Sequence, residues 1–382
     1  MQTVPQLTPP APAPVGSMAP TRVLVVDDSA TIRGLITRTL EAASDIAVVA
    51  SASNGAIAVT ALKQHAPDVV ILDIEMPVLD GLGALPLLLA ADPKVRVIMV
   101  STLTLRNAEI SLRALSLGAA DYIAKPSSAR EISASDDFRR ELVDKVKALG
   151  GARRRALPPE GSGRMPAAAA AEPARNAASP RSITLRPPSP IAPAVIAIGS
   201  STGGPQALAE LLSRLDSHIE HPILITQHMP ATFTVILAAH LGRVSGRICS
   251  EALEGEPVLP GHIYVAPGGF HMLVASKDGR AVVQIVDGPR ENFCKPAVDP
   301  MLRSAVSVYG GAVLAAILTG MGSDGLQGCG AVVAKGGTVI AQDETSSVVW
   351  GMPGAVACAG LCSAVLPVAD IAALINRIAR PR

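Results

Sequence analysis

Short apolar runs recur along the chain, each followed by a stretch in which apolar positions return every three or four residues. The runs have strand length and the intervening stretches have helical period, so strands and helices alternate. Over the first 150 residues the strand candidates are 22–26, 46–51, 68–72, 96–100 and 121–124. They predict a doubly wound five-stranded domain. Further on, runs at 194–198, 222–226, 262–266, 281–286, 312–318 and 338–341 predict a second, larger α/β domain with a parallel sheet.

Between the two, the pattern disappears. Residues 151–190 hold eight prolines and ten alanines with scarcely any periodic apolar position. Such a segment buries too little surface to offset its chain entropy and reads as an extended linker. Residues 1–20, rich in Pro and Ala, have neither the basic start nor the apolar centre of a secretory signal and read as a disordered leader. The expected division is therefore a leader at 1–20, a first domain at 21–150, the linker at 151–190 and a second domain at 191–382.

Charge and composition remove several function classes. The formal net charge is +1 and aromatic residues make up 2% of the chain, which argues against a basic nucleic-acid binder or a base-stacking platform. Residues 191–382 carry twelve Lys/Arg against fourteen Asp/Glu, with no basic stripe. The uncharged stretch 345–369 is long enough to span a bilayer but is broken by Gly351, Pro353, Gly354, Gly360 and Pro367, so no membrane insertion is expected. Five cysteines without paired metal spacing read as reduced thiols, and a cytoplasmic location is expected.

The first domain carries a carboxylate cluster. Asp27 and Asp28 end one predicted strand in RVLVVDDSA, and Asp73 ends another in DVVILDIEMP. In a parallel sheet these ends share one edge, where a hard divalent cation such as Mg²⁺ would neutralise three converging carboxylates. Ser101 in VIMVST and Lys125 in DYIAKP end two further strands on that rim. In this order, the residues resemble the response-regulator receiver domain. The resemblance implies Asp73 as phosphoacceptor, Asp27, Asp28 and Asp73 as Mg²⁺ ligands, Ser101 and Lys125 as sensors of the phosphoryl group, and Tyr122 as the coupled aromatic switch.

The second domain opens on AVIAIGSSTGGPQALAEL, an apolar run that empties into a glycine-rich turn and then a helix. Gly199 to Gly203 fits G-x-S-x-G, which presents a serine at a tight strand-to-helix turn; helix capping and phosphate binding are the competing uses of such a turn. A phosphate loop would need a Lys that is missing here. Seven histidines are available as a base. His228 in PILITQHMP stands just past a strand on the edge that also bears Ser201, and His271 in VAPGGFHM is a lesser candidate. Asp324 in LTGMGSDG could orient the imidazole. That stretch also matches a dinucleotide fingerprint at Gly320, Gly322 and Gly325 with Asp343 downstream, but Asp324 would then repel the pyrophosphate.

IGSSTGGP, QHMP and LTGMGSDG, downstream of a receiver and a linker, resemble the CheB-type chemotaxis protein-glutamate methylesterase family. The resemblance implies Ser201 as nucleophile, His228 as base, Asp324 as acid and the backbone N–H of Met321 as oxyanion donor, with that of Thr202 beside it. It implies hydrolysis of glutamate γ-methyl esters on methylated chemoreceptors, control by a chemotaxis histidine kinase through the receiver, Mg²⁺ for phosphorylation and no cofactor for ester hydrolysis. The same acyl chemistry admits deamidation of receptor glutamines. Ser200 stands where the family commonly has alanine, which leaves two adjacent hydroxyls as nucleophile candidates. A receiver-controlled docking module with an inactive esterase fold is the alternative.

Overall fold

The computed structural model describes residues 19–102, 104–125, 136–156 and 183–379; the leader through residue 18 and the centre of the linker, 157–182, lie outside the described residues. In the first domain β1 (Thr21–Val26), β2 (Ile46–Ala52), β3 (Val69–Asp73), β4 (Arg96–Thr102) and β5 (Asp121–Lys125) form a parallel sheet in the order β2-β1-β3-β4-β5. Helices cover both faces, which is why the strands read as unbroken apolar runs. The helices α1 (Ala30–Glu41), α2 (Gly55–His65), α3 (Gly81–Ala91) and α4 (Leu105–Ser116) each start on a side-chain cap, from Ser29, Asn54, Asp80 and Thr104 respectively.

The last receiver helix, α5 (Asp136–Ala156), runs six residues past the expected boundary at Gly150. Arg153 is buried there, 2.7 Å from Asp92 and 3.5 Å from Asp68, and Arg154 donates to Ala19 and Thr21. Ion pairs rather than apolar periodicity hold this end, so its composition reads as spacer.

Among the described residues the second sheet has seven parallel strands in the order β14-β13-β12-β6-β7-β9-β8. They are β6 (Val195–Ser200), β7 (Ile223–Gln227), β8 (Cys249–Glu251), β9 (Ile263–Val265), β12 (Val313–Ile317), β13 (Thr338–Gln342) and β14 (Ala364–Leu366). The run at 281–286 does not join this sheet. It lies in β11 (Arg280–Val286), which pairs antiparallel with β10 (His271–Lys277). The Asp278-Gly279 turn between them has positive φ at both residues, the geometry that Asp-Gly supplies in a two-residue hairpin.

Among the described residues six helices complete this domain: α6 (Gly204–Ser213), α7 (Ala231–Ser245), α8 (Val298–Tyr309), α9 (Leu326–Ala334), α10 (Met352–Cys358) and α11 (Val368–Ile378). Among the described residues no helix is long and apolar enough to cross a membrane.

The two domains are packed together through the β5 edge of the receiver. Leu112, Leu115, Ala119 and Tyr122 share one apolar cluster with Leu208, Leu211 and Phe233 of α6 and α7. The Tyr122 and Phe233 rings stack 4.4 Å apart. Gln206 donates to the carbonyls of Leu115 and Ala119. On the other side, Ile123, Phe138 and Leu142 cluster with Val349, and Met321 and Val348 pack against them.

Candidate active site beneath the receiver

In the receiver the strand order reverses at β1 and β3, and the crevice at their carboxyl ends is where ligands bind in such sheets. Asp27, Asp28 and Asp73 meet there, with a carboxylate oxygen from each within 4.8 Å of the others. An all-oxygen set of this kind fits Mg²⁺. Burial pushes Asp73 up to about 6, with Lys125 opposing and Asp27 reinforcing the shift. Lys125 reaches in from β5 to Asp73 at 2.7 Å and Asp27 at 3.2 Å. Ser101 is buried, its hydroxyl 3.1 Å from that of Ser111 on α4. Tyr122 is also buried, against Phe233, with the Lys145 ammonium 5.3 Å from its ring centre.

In the second domain, β6 lies between β7 and β12, and the loops leaving these three strands carry the candidate triad. The register pairs Ser200 with Gln227, so Ser201 and His228 leave the sheet side by side, and the His228 amide donates to the Ser200 carbonyl at 3.1 Å. Ser200 is fully buried and its hydroxyl donates to Gln227 Oε1 at 2.7 Å, whereas Ser201 is partly exposed. A committed hydroxyl without exposure is a poor nucleophile, and the pair of serines separates on that ground.

The turn that presents Ser201 depends on its glycines. Gly203 has φ of +76°, a left-handed conformation that costs other residues strain. A Cβ on Gly204 would lie 1.9 Å from Gln227 Oε1. The turn after β12 comes close as well, because a Cβ on Gly320 would stand 2.9 Å from the Ser201 Cβ. Met321 follows directly. Among the described residues the backbone N–H groups of Thr202 and Met321 meet no acceptor, which leaves both for an oxyanion.

His228 and Asp324 are joined by a 2.7 Å bond between Nε2 and Oδ2. Asp324 also accepts from the amides of Val298 at 2.6 Å and Asp299 at 3.1 Å, at the start of α8, and from Asn292 Nδ2 at 3.1 Å. Burial works against its charge, but His228 and these amides prevail and hold its carboxyl below the ordinary value. For His228, burial again opposes the charged form, while Cys294 and Asp324 raise the imidazole well above its ordinary value.

Ser201 is not hydrogen-bonded to His228. The second ring nitrogen, Nδ1, lies 3.3 Å from Cys294 Sγ instead. Two members of the expected relay are thus joined and the third stands at the adjacent strand end. Cys294 and Asn292 went unrecognised in the sequence, since the loop that carries them has no local signal of its approach to β7 and β12. His271 is occupied elsewhere: its Nε2 faces the Pro289 carbonyl at 2.8 Å and its Nδ1 accepts from Ala297 N. Asp343 caps its own turn through Ser346, and Asp324 is turned toward His228, so neither serves a dinucleotide.

A response regulator receiver domain model matches residues 23–135, and a CheB methylesterase model matches residues 196–375. The protein-glutamate methylesterase/protein-glutamine glutaminase of Azospirillum brasilense is 57% identical over 97% of each chain. That of the group 2 operon of Rhodospirillum centenum is 57% identical over 97% of this chain and 96% of its own. The crystal structure of the Thermotoga maritima CheB methylesterase catalytic domain is 39% identical, covers 49% of this chain and 99% of its own, and has a TM-score of 0.48. With near-complete coverage at this identity, the chain belongs to the CheB family of receiver-linked protein-glutamate methylesterases/protein-glutamine glutaminases.

Proposed function

We propose that the chain is a phosphorylation-regulated methylesterase that hydrolyses glutamate γ-methyl esters on chemoreceptors and releases methanol, acting in the cytoplasm on the receptors' exposed helices. The observation that carries it is the His228–Asp324 bond beside the Ser201 turn, in a chain of this family. Once the imidazole turns from Cys294, His228 takes the proton of Ser201 as its oxygen attacks the ester carbonyl. Asp324 holds the ring and stabilises the imidazolium. The N–H groups of Thr202 and Met321 receive the oxyanion, methanol departs with the proton from His228, and water then releases glutamate. For a glutamine side chain ammonia leaves in place of methanol, in keeping with the double name of the relatives.

Phosphorylation by a chemotaxis histidine kinase supplies the control. Asp73 accepts the phosphoryl group, and Mg²⁺ held by Asp27, Asp28 and Asp73 would neutralise its charge. Lys125 and Ser101 then bind its oxygens. Ser101 leaves Ser111 to do so, which draws on α4, and α4 and β5 are the elements packed on α6 and α7. Loosening that face uncovers the Ser201 turn. Methanol release from a methylated receptor fragment, with and without a small phosphodonor and Mg²⁺, tests this. Stimulation that Asp73→Asn abolishes is expected; equal stimulation of that variant, or no release at all, would contradict it.

A further inference from the structure

His228 has a neighbour that ester hydrolysis does not use. Asp324 occupies Nε2, and the Cys294 thiol faces Nδ1 at 3.3 Å. We propose that Cys294 is a reactive thiol that controls the esterase: its modification by a small peroxide or a soft electrophile switches catalysis off through His228.

The thiol and the carboxylate each meet a nitrogen of one imidazole, the same set of nucleophile, base and orienting group that activates cysteines elsewhere. None of the other four cysteines has it among the described residues. Cys329 and Cys362 are buried, and burial pushes Cys249 and Cys362 up to about 12. Cys358 is exposed but has no imidazole beside it. Exposure alone would make Cys358 the most reactive; contact with His228 selects Cys294.

The same three side chains could be read as a metal site, because their ligand atoms lie within 4.8 Å of one another. Both Asp324 oxygens, however, already accept from the amides of Val298, Asp299 and Gly325 and from Asn292. An ion would have to displace these donors to gain the carboxylate, and without it two ligands make a weak site. Thiol chemistry needs no such displacement.

Cys294 is half-buried, in a loop whose preceding residues Asn292 and Phe293 are exposed and have φ of 51° and 64°. A small reagent therefore has a short path to the sulfur. In the reaction the S–H proton passes to Nδ1. The sulfur attacks one oxygen of hydrogen peroxide, the O–O bond breaks, and the departing hydroxide takes a proton to become water. The thiol is oxidised to a sulfenic acid and the peroxide is reduced. With iodoacetamide a C–S bond forms and iodide leaves. Either product places added atoms at Nδ1, the nitrogen that Ser201 requires on the reading that His228 is its base.

The test treats the full chain at neutral pH with iodoacetamide or hydrogen peroxide, follows each cysteine by peptide mass spectrometry, and measures methanol release in parallel. Cys294 is expected to alkylate about tenfold faster than Cys358, and in His228→Gln no faster than Cys358. Methanol release should fall in step with modification of Cys294, and dithiothreitol should restore it after peroxide. Cys294→Ser should remain active and resist both reagents. Reaction at Cys358 first, full activity with Cys294 modified, or inactivation of Cys294→Ser would overturn the inference. Alkylation order is read without the esterase, so a chain that releases no methanol at all would sink the proposed function and still decide the thiol's reactivity.

Discussion

The hydroxyl of Thr202, the residue after Ser201, donates to Asp121 of the receiver at 2.7 Å, and both groups are buried. Asp121 is also paired with Lys145 at 3.1 Å, so the receiver fastens the candidate oxyanion turn with a charged and desolvated acceptor. Gln206, one turn further on, adds two hydrogen bonds to the same edge.

Thr202→Val and Gln206→Ala should therefore loosen the covered state without touching a reacting atom. A hydrogen bond of about 1 kcal/mol lost from that state alone raises the uncovered population about fivefold. Methanol release without phosphodonor is expected to rise by that order in each variant, while the fully stimulated rate changes little. Unchanged basal rates would show that this edge does not restrain the enzyme.

Gly204→Ala probes the turn itself. The new Cβ would overlap Gln227 Oε1, which also accepts from Ser200, so the turn must open or Gln227 must move. A loss of about 1–3 kcal/mol is expected, read as a lower thermal midpoint, together with loss of activity. Wild-type stability and rate would mean that the glycine serves no steric purpose.

The pH dependence follows from His228. Ester attack needs the neutral imidazole, and neighbours that raise its affinity for protons move the acid limb of kcat/KM above the ordinary imidazole range. Asp324→Asn removes one of those neighbours' charges, so the acid limb should move to lower pH while the plateau falls by about 10⁴-fold. The same shift has a sign for stability. The raised His228 contributes fully below its unfolded value near 6.5 and loses the contribution as pH rises through the folded value. An acid limb that stays in place in Asp324→Asn would contradict the assignment.

Both sheets were legible because their strands are buried on two faces and stand out as continuous apolar runs. The three-residue strands β8, β9 and β14 show how far that signal reaches: β9 was seen within a longer run, and the other two were missed. The hairpin of β10 and β11 was half seen, although Asp278-Gly279 carries its turn signal. At the candidate site, Ser201, His228 and Asp324 were legible because each follows an apolar strand. Cys294 and Asn292 were not, since only tertiary folding brings the 291–294 loop to Asp324. The distinction between Ser200 and Ser201 likewise needed burial and a partner, which the spacing of the motif does not encode.

The central claim is that one hydroxyl of the adjacent pair attacks the ester. Ser200 makes a buried bond to Gln227, and its removal leaves Oε1 without that donor, a cost of about 1–3 kcal/mol in stability. The most direct measurement is methanol release from methylated receptor by Ser201→Ala and Ser200→Ala, side by side, under full phosphodonor stimulation. Ser201→Ala should lose at least about 10³-fold in rate at unchanged thermal midpoint, and Ser200→Ala should retain its rate at a lower midpoint. A Ser201→Ala enzyme that still releases methanol at the wild-type rate would contradict the account.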